Sequence, residues 1–251
     1  MRLTFVGTRA NIALRTRRHR RHSVLLVNEA DTRVLVDCGA DWLGSFEELR
    51  PDAIILTHGH SDHVGGLAAG AFCPVYATEE TWPLLAAYPI AERRDMPLRV
   101  PIDAGDITFE AFPVEHSLCA PAVGYRISAG GRSVFYVPDV AAIRDEKAAL
   151  RGIDVYLGDG ATVTRPILRH REGIPIGHAP IRSQLDWCQA QRVTHAIFSH
   201  CGSQIVRGDE RNLGALVRRL GRERGIEAQI AHDGMELNLD APIATVDGDP
   251  A

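Results

Sequence analysis

Thr57-His58-Gly59-His60-Ser61-Asp62-His63 is the stretch from which the fold of this chain can be worked out. It follows the apolar run 53–56, whose β-branched residues indicate a buried strand. In extended backbone, alternate residues such as His58 and His60 point to the same side, whereas adjacent residues diverge. Burying three imidazoles without partners would leave several hydrogen bonds unmade. The stretch therefore predicts a metal site with room for two ions, in preference to a solvated polar loop.

Three further candidate ligands occupy positions equivalent to that stretch, just past apolar runs elsewhere in the chain. His116 follows the run 106–114, Asp139 follows a run that ends at Val137, and His200 follows the run 196–198. Side chains placed just past several buried strands can converge on one site while the scaffold beneath them stays rigid. The recurrence predicts that these residues join the 57–63 cluster.

Length and composition indicate an ordinary globular protein. The chain has 251 residues, of which 45% are hydrophobic and 24% charged, and no linker divides it, so we expect a single domain over 1–251. A formal net charge of -4 argues against a general nucleic-acid coat. No apolar run approaches the roughly 20 residues that span a bilayer, and the first residues are unlike a signal peptide. We expect a cytoplasmic protein with no membrane partner.

The five cysteines are scattered and form no CxxC pair, which favours reduced, mostly buried thiols. Cys119 and Cys201 lie close to candidate ligands in sequence, but packing is the favoured interpretation for both.

Arginines are concentrated in two segments. The run 9–22 contains Arg17 and Arg18, and the segment 161–178, interpreted as a loop or lid, contains Arg169 and His170. An arginine fork matches phosphate oxygens, so these four residues are candidate substrate contacts. A solvated surface loop is the alternative for the run 9–22.

The pattern of apolar residues and turn signals predicts a mixed α/β (α+β) fold in which two sheets pack together with helices outside. Asp159, in a Gly-Asp-Gly turn, is interpreted as structural, and the residues from Asp240 onward are expected to fray. The predicted strands are 3–6, 23–28, 33–37, 53–56, 74–77, 106–114, 123–127, 133–137, 154–157, 196–198 and 227–231, and the predicted helices are 45–50, 64–71, 78–87, 144–151, 179–192 and 209–223.

The pattern His58-x-His60-x-Asp62-His63, followed by His116, Asp139 and His200, resembles the metallo-β-lactamase fold superfamily over nearly the whole chain. The resemblance implies a four-layer αββα sandwich. It also implies that one ion is held by His58, His60 and His116, that a second is held by Asp62, His63 and His200, and that Asp139 bridges the two. The motif identifies the superfamily but not the substrate.

A finer resemblance comes from Gly177-His178-Ala179-Pro180, which is similar to a stretch in the PhnP-type cyclic phosphodiesterases and in ribonuclease Z. It implies that His178 contacts the substrate phosphate or protonates the leaving group; a helix-start histidine bonded to backbone is the alternative. No cysteine set matches the extra structural zinc known in some PhnP proteins, nothing in the length suggests the protruding tRNA-binding arm of ribonuclease Z, and the net charge is negative. These departures favour a small phosphodiester over long nucleic acid.

The resulting hypothesis is a metal-dependent hydrolase, a dinuclear phosphodiesterase acting on a small or cyclic phosphodiester. Two ions would activate a shared water, with Asp62 as the acceptor for its proton and His178 as the second catalytic residue. Imidazole and carboxylate ligands suit zinc, manganese or iron. The resemblance also implies a homodimer. Two alternatives stay open: hydrolysis of another ester class, such as a lactone or thioester, and a cofactor-handling protein like PqqB.

Overall fold

Two stacked β-sheets form the centre of the structure, which is a computed structural model that describes residues 1–240. The predicted fraying concerns residues that lie almost wholly outside this range. The first sheet has the strand order β17-β1-β2-β3-β4-β5-β6. Its strands are β1 (Arg2–Gly7), β2 (Val24–Glu29), β3 (Thr32–Val36), β4 (Ala53–Ile55), β5 (Val75–Ala77), β6 (Arg93–Asp95) and β17 (Met235–Asn238).

The second sheet has the order β11-β8-β9-β10-β12-β15-β16, with β7 paired to β8. Its strands are β7 (Ile102–Ala104), β8 (Ile107–Glu115), β9 (Ala122–Ala129), β10 (Arg132–Tyr136), β11 (Ala142–Ile143), β12 (Val155–Asp159), β15 (His195–Ser199) and β16 (Glu227–Ile230). Strands β10, β12, β15 and β16 run parallel, so their carboxyl ends meet at one edge of the sheet.

Alternating apolar residues of the two sheets pack against each other, as Phe5 and Val36 do from the first sheet and Phe109 and Tyr125 from the second. The outer face of the second sheet is covered by α2 (Glu146–Leu150), α3 (Ile181–Ala190), α4 (Ser203–Arg207) and α5 (Glu210–Arg222). The outer face of the first sheet is covered by α1 (Ser61–Val64) and several single 3-10 turns. This is the predicted four-layer αββα sandwich.

Three predicted helices of the first half are wrong in kind or length. The segment 45–50 is a 3-10 turn at Phe46–Leu49, where the Ser45 side chain does not cap, and 78–87 contains only a 3-10 turn at Trp82–Leu85. The predicted helix 64–71 is instead a 3-10 turn over Gly65–Ala69, because α1 begins earlier and ends at Val64. Segments this short cannot offset the cost of helix nucleation unless packing supports them.

The predicted loop 161–178 is largely a two-stranded hairpin, formed by β13 (Ile167–Arg171) and β14 (Ile174–His178). It belongs to neither large sheet, and β13 is exposed along its whole length. The alternation that marks a half-buried strand is therefore missing from its sequence. His178 ends β14, and α3 begins only at Ile181 with Pro180 as its N-cap. His178 is thus a strand-end residue and not a helix-start residue.

Candidate metal centre

The first group of predicted ligands comprises His58, His60 and His116, whose ring nitrogens meet at the carboxyl end of β4. His60 Nδ1 lies 2.9 Å from His58 Nε2 and 3.3 Å from His116 Nε2. His58 lies three residues after β4, and His60, in extended backbone, is the N-cap residue of α1. His116 comes from the second sheet, directly after β8. Residues from both sheets therefore close around one point.

The second group comprises Asp62, His63 and His200. Asp62 and His63 are in α1, where successive residues are turned by about 100°. This differs from the extended backbone expected for the whole motif, and it brings the His63 ring to 4.2 Å from that of His58, centroid to centroid. Asp62 Oδ2 lies 3.4 Å from His63 Nε2 and 3.3 Å from His200 Nε2.

Asp139 lies between the two groups. Its Oδ2 is 2.7 Å from His63 Nε2, 3.3 Å from His200 Nε2 and 3.9 Å from His58 Nε2, and its Oδ1 is 3.6 Å from His116 Nε2. Asp139 follows β10 at the edge where the parallel strands end. The structure therefore brings all seven predicted ligands together, and their donor atoms form overlapping clusters of the kind that hold metal ions.

Polar contacts behind the histidines decide which ring nitrogen faces the centre. His116 Nδ1 lies 3.2 Å from the Gly177 carbonyl oxygen, which can only accept, so this nitrogen donates and Nε2 keeps its lone pair. Thr57 Oγ1 donates to the Asp37 carboxylate and must therefore accept from His58 Nδ1 at 3.0 Å. His58 Nε2 is thus also a lone-pair nitrogen directed into the cluster.

Asp37 fixes His63 in the same way. Its Oδ2 lies 2.7 Å from His63 Nδ1, and its Oδ1 accepts from the Thr57 backbone N–H at 2.8 Å. Asp37 is fully buried and has a left-handed backbone with φ of 69°, a conformation that Asp tolerates better than most residues. The sequence indicated only a turn here. A carboxylate behind a ligating histidine is a common arrangement in metal sites.

The unmade contacts of the cluster fit a divalent cation. His63 Nε2 and Asp139 Oδ2 are buried and 2.7 Å apart, yet neither makes a hydrogen bond within residues 1–240. Lone-pair nitrogens and carboxylate oxygens that face one another at such distances repel unless a proton or cation lies between them. Imidazole and carboxylate donors in this number suit zinc, manganese or iron. The residues present therefore fit the metal centre.

The pKa values also indicate that the carboxylates of the cluster stabilise positive charge there. Burial lowers the pKa of His58, His60 and His116, which keeps these rings neutral. Burial also opposes protonation of His63 and His200, but nearby carboxylates outweigh it. Asp37 holds the pKa of His63 well above its usual value, and Asp139 raises the pKa of His200 to about 10. A bound divalent cation would take the place of those protons.

His178 lies beside the cluster and is held by a residue that the sequence did not single out as functional. Its Nδ1 is 2.7 Å from Asp159 Oδ2 and 3.3 Å from Asp139 Oδ1, and its ring stacks on His200 with centroids 5.7 Å apart. The side chain is 21% exposed, and Nε2 makes no hydrogen bond within the described part of the chain. Nε2 is therefore the nitrogen available to a bound molecule.

Asp159 is rigidly placed behind His178. It is fully buried at the end of β12, and its carboxylate accepts from the backbone N–H groups of Val140 and Ala161 at 3.1 and 2.7 Å. Gln184 of α3 bonds both the N–H and the carbonyl of Asp159. The structural interpretation of Asp159 was therefore incomplete. Its position just past a buried strand, like that of Asp139, was the available signal.

Gly177 joins the hairpin to the cluster. Its carbonyl holds His116 Nδ1, and its N–H donates to the His116 carbonyl at 2.8 Å. Its φ of +109° is a conformation that side chains rarely adopt, and a Cβ here would lie 2.0 Å from the Ile167 carbonyl oxygen. Only glycine can make this connection without displacing the hairpin.

The remaining candidates lie outside the cluster. Arg169 and His170 are exposed on β13 of the hairpin, while Arg17 and Arg18, in the loop between β1 and β2, line a separate cavity. All five cysteines are free; Cys201 packs in the core of the second sheet, where burial raises the pKa of its thiol well above the usual value, and Cys119 is exposed. None of the helices in residues 1–240 has the length and apolar character needed to cross a bilayer.

Comparison with known proteins gives a family match and several relatives. The family model described as a beta-lactamase superfamily domain matches residues 32–201. A ribonuclease Z of Mycolicibacterium paratuberculosis is 26% identical over 259 aligned residues, covering 86% of this chain and 91% of the relative. A ribonuclease Z of Bradyrhizobium diazoefficiens is 32% identical, but the alignment covers only 45% of this chain and 46% of that protein.

Solved structures resemble the chain over almost its full length. The metallo-beta-lactamase fold protein YhfI of Bacillus subtilis matches with a TM-score of 0.73 at 18% identity, covering 94% of this chain and 98% of that one. A diphosphatase from the PhnP family matches at 0.70 and 23% identity, covering 97% and 99%. Zinc-bound PqqB from Methylobacterium extorquens matches at 0.70 and 21% identity, covering 95% and 100%. At these identities the likeness shows the fold.

Proposed function

Because the chain belongs to the beta-lactamase superfamily domain family and its relatives include ribonuclease Z and a PhnP-family diphosphatase, we propose that it is a metal-dependent hydrolase, a dinuclear phosphodiesterase acting on a small or cyclic phosphodiester. In this proposal His58, His60 and His116 would hold one ion. Asp62, His63 and His200 would hold the other. The position of Asp139 between both groups supports a bridging role for its carboxylate.

The chemistry of the bound ions would be activation of water and stabilisation of the oxygens of an in-line displacement. The chain's own residues supply the rest. Asp62, held near His63 and His200, accepts the proton of the attacking water. Burial raises the pKa of the Asp62 carboxyl, but His63 outweighs this and keeps it ionised, as a proton acceptor must be. His178 faces the substrate with Nε2 and contacts its phosphate or protonates the leaving oxygen.

The observation that carries the phosphodiesterase proposal is the pair His178–Asp159. A histidine that only completed a hairpin would not need a fully buried carboxylate 2.7 Å from Nδ1. This bond fixes the ring so that Nε2 is presented beside the candidate metal ligands. The PhnP-family diphosphatase and the ribonuclease Z relatives are consistent with a phosphate substrate. The formal net charge of -4 favours a small phosphodiester over a long nucleic acid.

The test compares His178→Ala with wild type on bis-p-nitrophenyl phosphate and on a cyclic nucleotide. Loss of a general acid costs roughly 10²- to 10⁴-fold in kcat. The larger loss is expected for the cyclic nucleotide, because its alkoxide leaving group needs a proton more than p-nitrophenolate does. His195→Ala is the matched control, since His195 lies at the opposite end of β15 from His200. Unchanged rates on both substrates with full metal content would exclude a catalytic role for His178.

A second candidate function is suggested by PqqB, since Coenzyme PQQ synthesis protein B of Methylobacterium sp. is 26% identical over 226 residues and covers 74% of this chain. A third possibility is hydrolysis of a lactone or thioester. Measuring activity on a panel of phosphodiesters, thioesters and lactones distinguishes these three candidate functions. A clear preference for lactones or thioesters contradicts the proposal, and a metal-replete protein that is inert on every class favours a PqqB-like role. Reconstitution with zinc, manganese or iron identifies the metal that supports turnover.

A further inference from the structure

A cavity of about 950 Å³ opens beside the metal centre, and no part of the proposed reaction uses it. It is formed by the loop after β1, by α4 and the first turns of α5, and by the residues that follow β16. Its volume lies in the range of small-molecule sites. Apolar side chains, among them Leu213, Ile230 and Met235, line part of its wall.

The charge of this cavity is positive and largely uncompensated. Four arginines line it: Arg17, Arg18, Arg211 and Arg218. The two carboxylates at its rim are already engaged, because Asp209 caps α5 and Glu210 pairs with Arg18 at 3.0 Å. Within residues 1–240, Arg17, Arg211 and Arg218 make no ion pair. Three guanidinium groups that line one cavity without carboxylate partners are suited to the oxygens of a phosphate.

A neutral histidine supplies a hydrogen-bond acceptor in the same cavity. Thr8 Oγ1 donates to Asp233 Oδ1 at 2.6 Å, so it accepts from His19 Nδ1 at 2.8 Å. His19 Nδ1 therefore carries the proton, and Nε2 keeps a lone pair that no residue in the described chain occupies. His19 lines the cavity, and burial lowers its pKa to about 4. The cavity thus combines cationic donors, one neutral acceptor and an apolar wall.

The cavity lies next to the metal centre along one sheet edge. β15 leads to the ligand His200, and its parallel neighbour β16 leads to His232, which lines the cavity. Thr8 touches both places, because its side chain bonds His19 while its carbonyl accepts from the N–H of Cys201 at 2.6 Å. Neighbouring strands are about 4.8 Å apart. The two sites are therefore linked through Thr8 and Cys201, the residue that follows the ligand His200.

We propose that this cavity is a second ligand site, which binds a phosphate-bearing molecule of nucleotide size. The arginines contact the phosphate, His19 Nε2 accepts from a donor on the base or sugar, and the apolar wall packs against the nucleoside. The site is distinct from the metal centre, and the proposal does not depend on the reaction catalysed there.

The test is calorimetric titration of the metal-replete protein with AMP, adenosine and inorganic phosphate. AMP should bind more tightly than either of the other two, since each supplies only half of the contacts. In the triple variant Arg17→Ser/Arg211→Ser/Arg218→Ser, AMP affinity should fall roughly tenfold for each arginine removed. These three arginines are exposed, so replacing them should leave the fold intact. Arg222→Ser is the matched control, on the same helix but outside the cavity.

Three results would overturn the proposal. AMP affinity equal in the triple variant and wild type would assign any AMP binding to the metal centre. Absence of AMP binding to wild type would show that the cavity takes no such ligand. Affinity for AMP no greater than for inorganic phosphate would remove the nucleoside from the assignment.

Discussion

Two regions of the molecule bring histidines to the same site by opposite means. The segment 57–63 is short, mostly buried and continuous in sequence, and its rings of His58 and His63 are fixed by Thr57 and Asp37. The hairpin β13–β14 is largely exposed and belongs to neither large sheet, and its His178 is fixed by Asp159 at the end of β12 in the second sheet. The first region is built to hold charge in one place. The second presents the partly exposed ring of His178 to a molecule that binds beside the cluster.

The difference implies that damage to the first region should remove the metal, whereas damage to the second should slow turnover of a metal-replete enzyme. Variants in the two regions can therefore be told apart by measuring metal content and kinetics on the same preparation.

The largest effect is expected for Asp139→Asn, because this carboxylate lies against donors of both groups. The amide keeps the shape but loses the charge and one acceptor. Metal-ion catalysis supplies several kcal/mol, so kcat/KM should fall roughly 10³-fold or more. Metal analysis after dialysis should show loss of at least one ion per chain. Full metal content with near-normal turnover would contradict the bridging role.

Asp37→Asn should act on the metal without touching the substrate. Asn tolerates the left-handed backbone at position 37, so the change is conservative in conformation. Its amide group, however, would favour the wrong tautomer of His63 and place a proton on Nε2. Changes behind metal ligands cost roughly 10- to 100-fold in metal affinity.

Titration in metal buffers measures this loss, with Asp31→Asn at an exposed turn as control. Restoration of turnover at high free metal is expected for Asp37→Asn. A variant with wild-type metal affinity would show that Asp37 serves only Thr57 and the backbone.

Asp159→Asn should have the reverse signature, with metal retained and kcat reduced roughly tenfold, in the range found for such supporting residues. If Asp159 acts through His178, the double variant with His178→Ala should be no slower than His178→Ala alone. Because His200 Nδ1 lies 3.7 Å from Asp159 Oδ1, metal content must be measured in each variant. Additive losses would mean that Asp159 works through His200 or the fold instead.

The same contrast explains how much of the fold and of the site could be predicted from the sequence. The cluster 57–63 is local, and His116, Asp139 and His200 share with it a position just past a strand, so the superfamily and the αββα architecture could be predicted. The roles of Asp37 and Asp159, which hold the site histidines in place, could not be predicted, because their partners come from segments remote in sequence. The hairpin was missed because β13 is exposed on both faces and Pro175 and Gly177 interrupt β14. Neither strand shows the alternation that marks a half-buried strand.

The smallest effect is expected on the hairpin itself, where register separates two neighbouring candidates for substrate contact. In an antiparallel pair, directly opposed residues share a face and adjacent residues face opposite ways. Ile167 is paired with His178 and Arg169 with Ile176, so Arg169 lies on the face of His178 and His170 on the other. Arg169→Ala should raise KM about two- to fivefold with kcat unchanged, the size expected for an exposed charged contact. His170→Ala is its matched control and should leave KM unchanged. If His170→Ala alone raised KM, the substrate would have to approach from the far side of the hairpin, and His178 could not be the group that meets it.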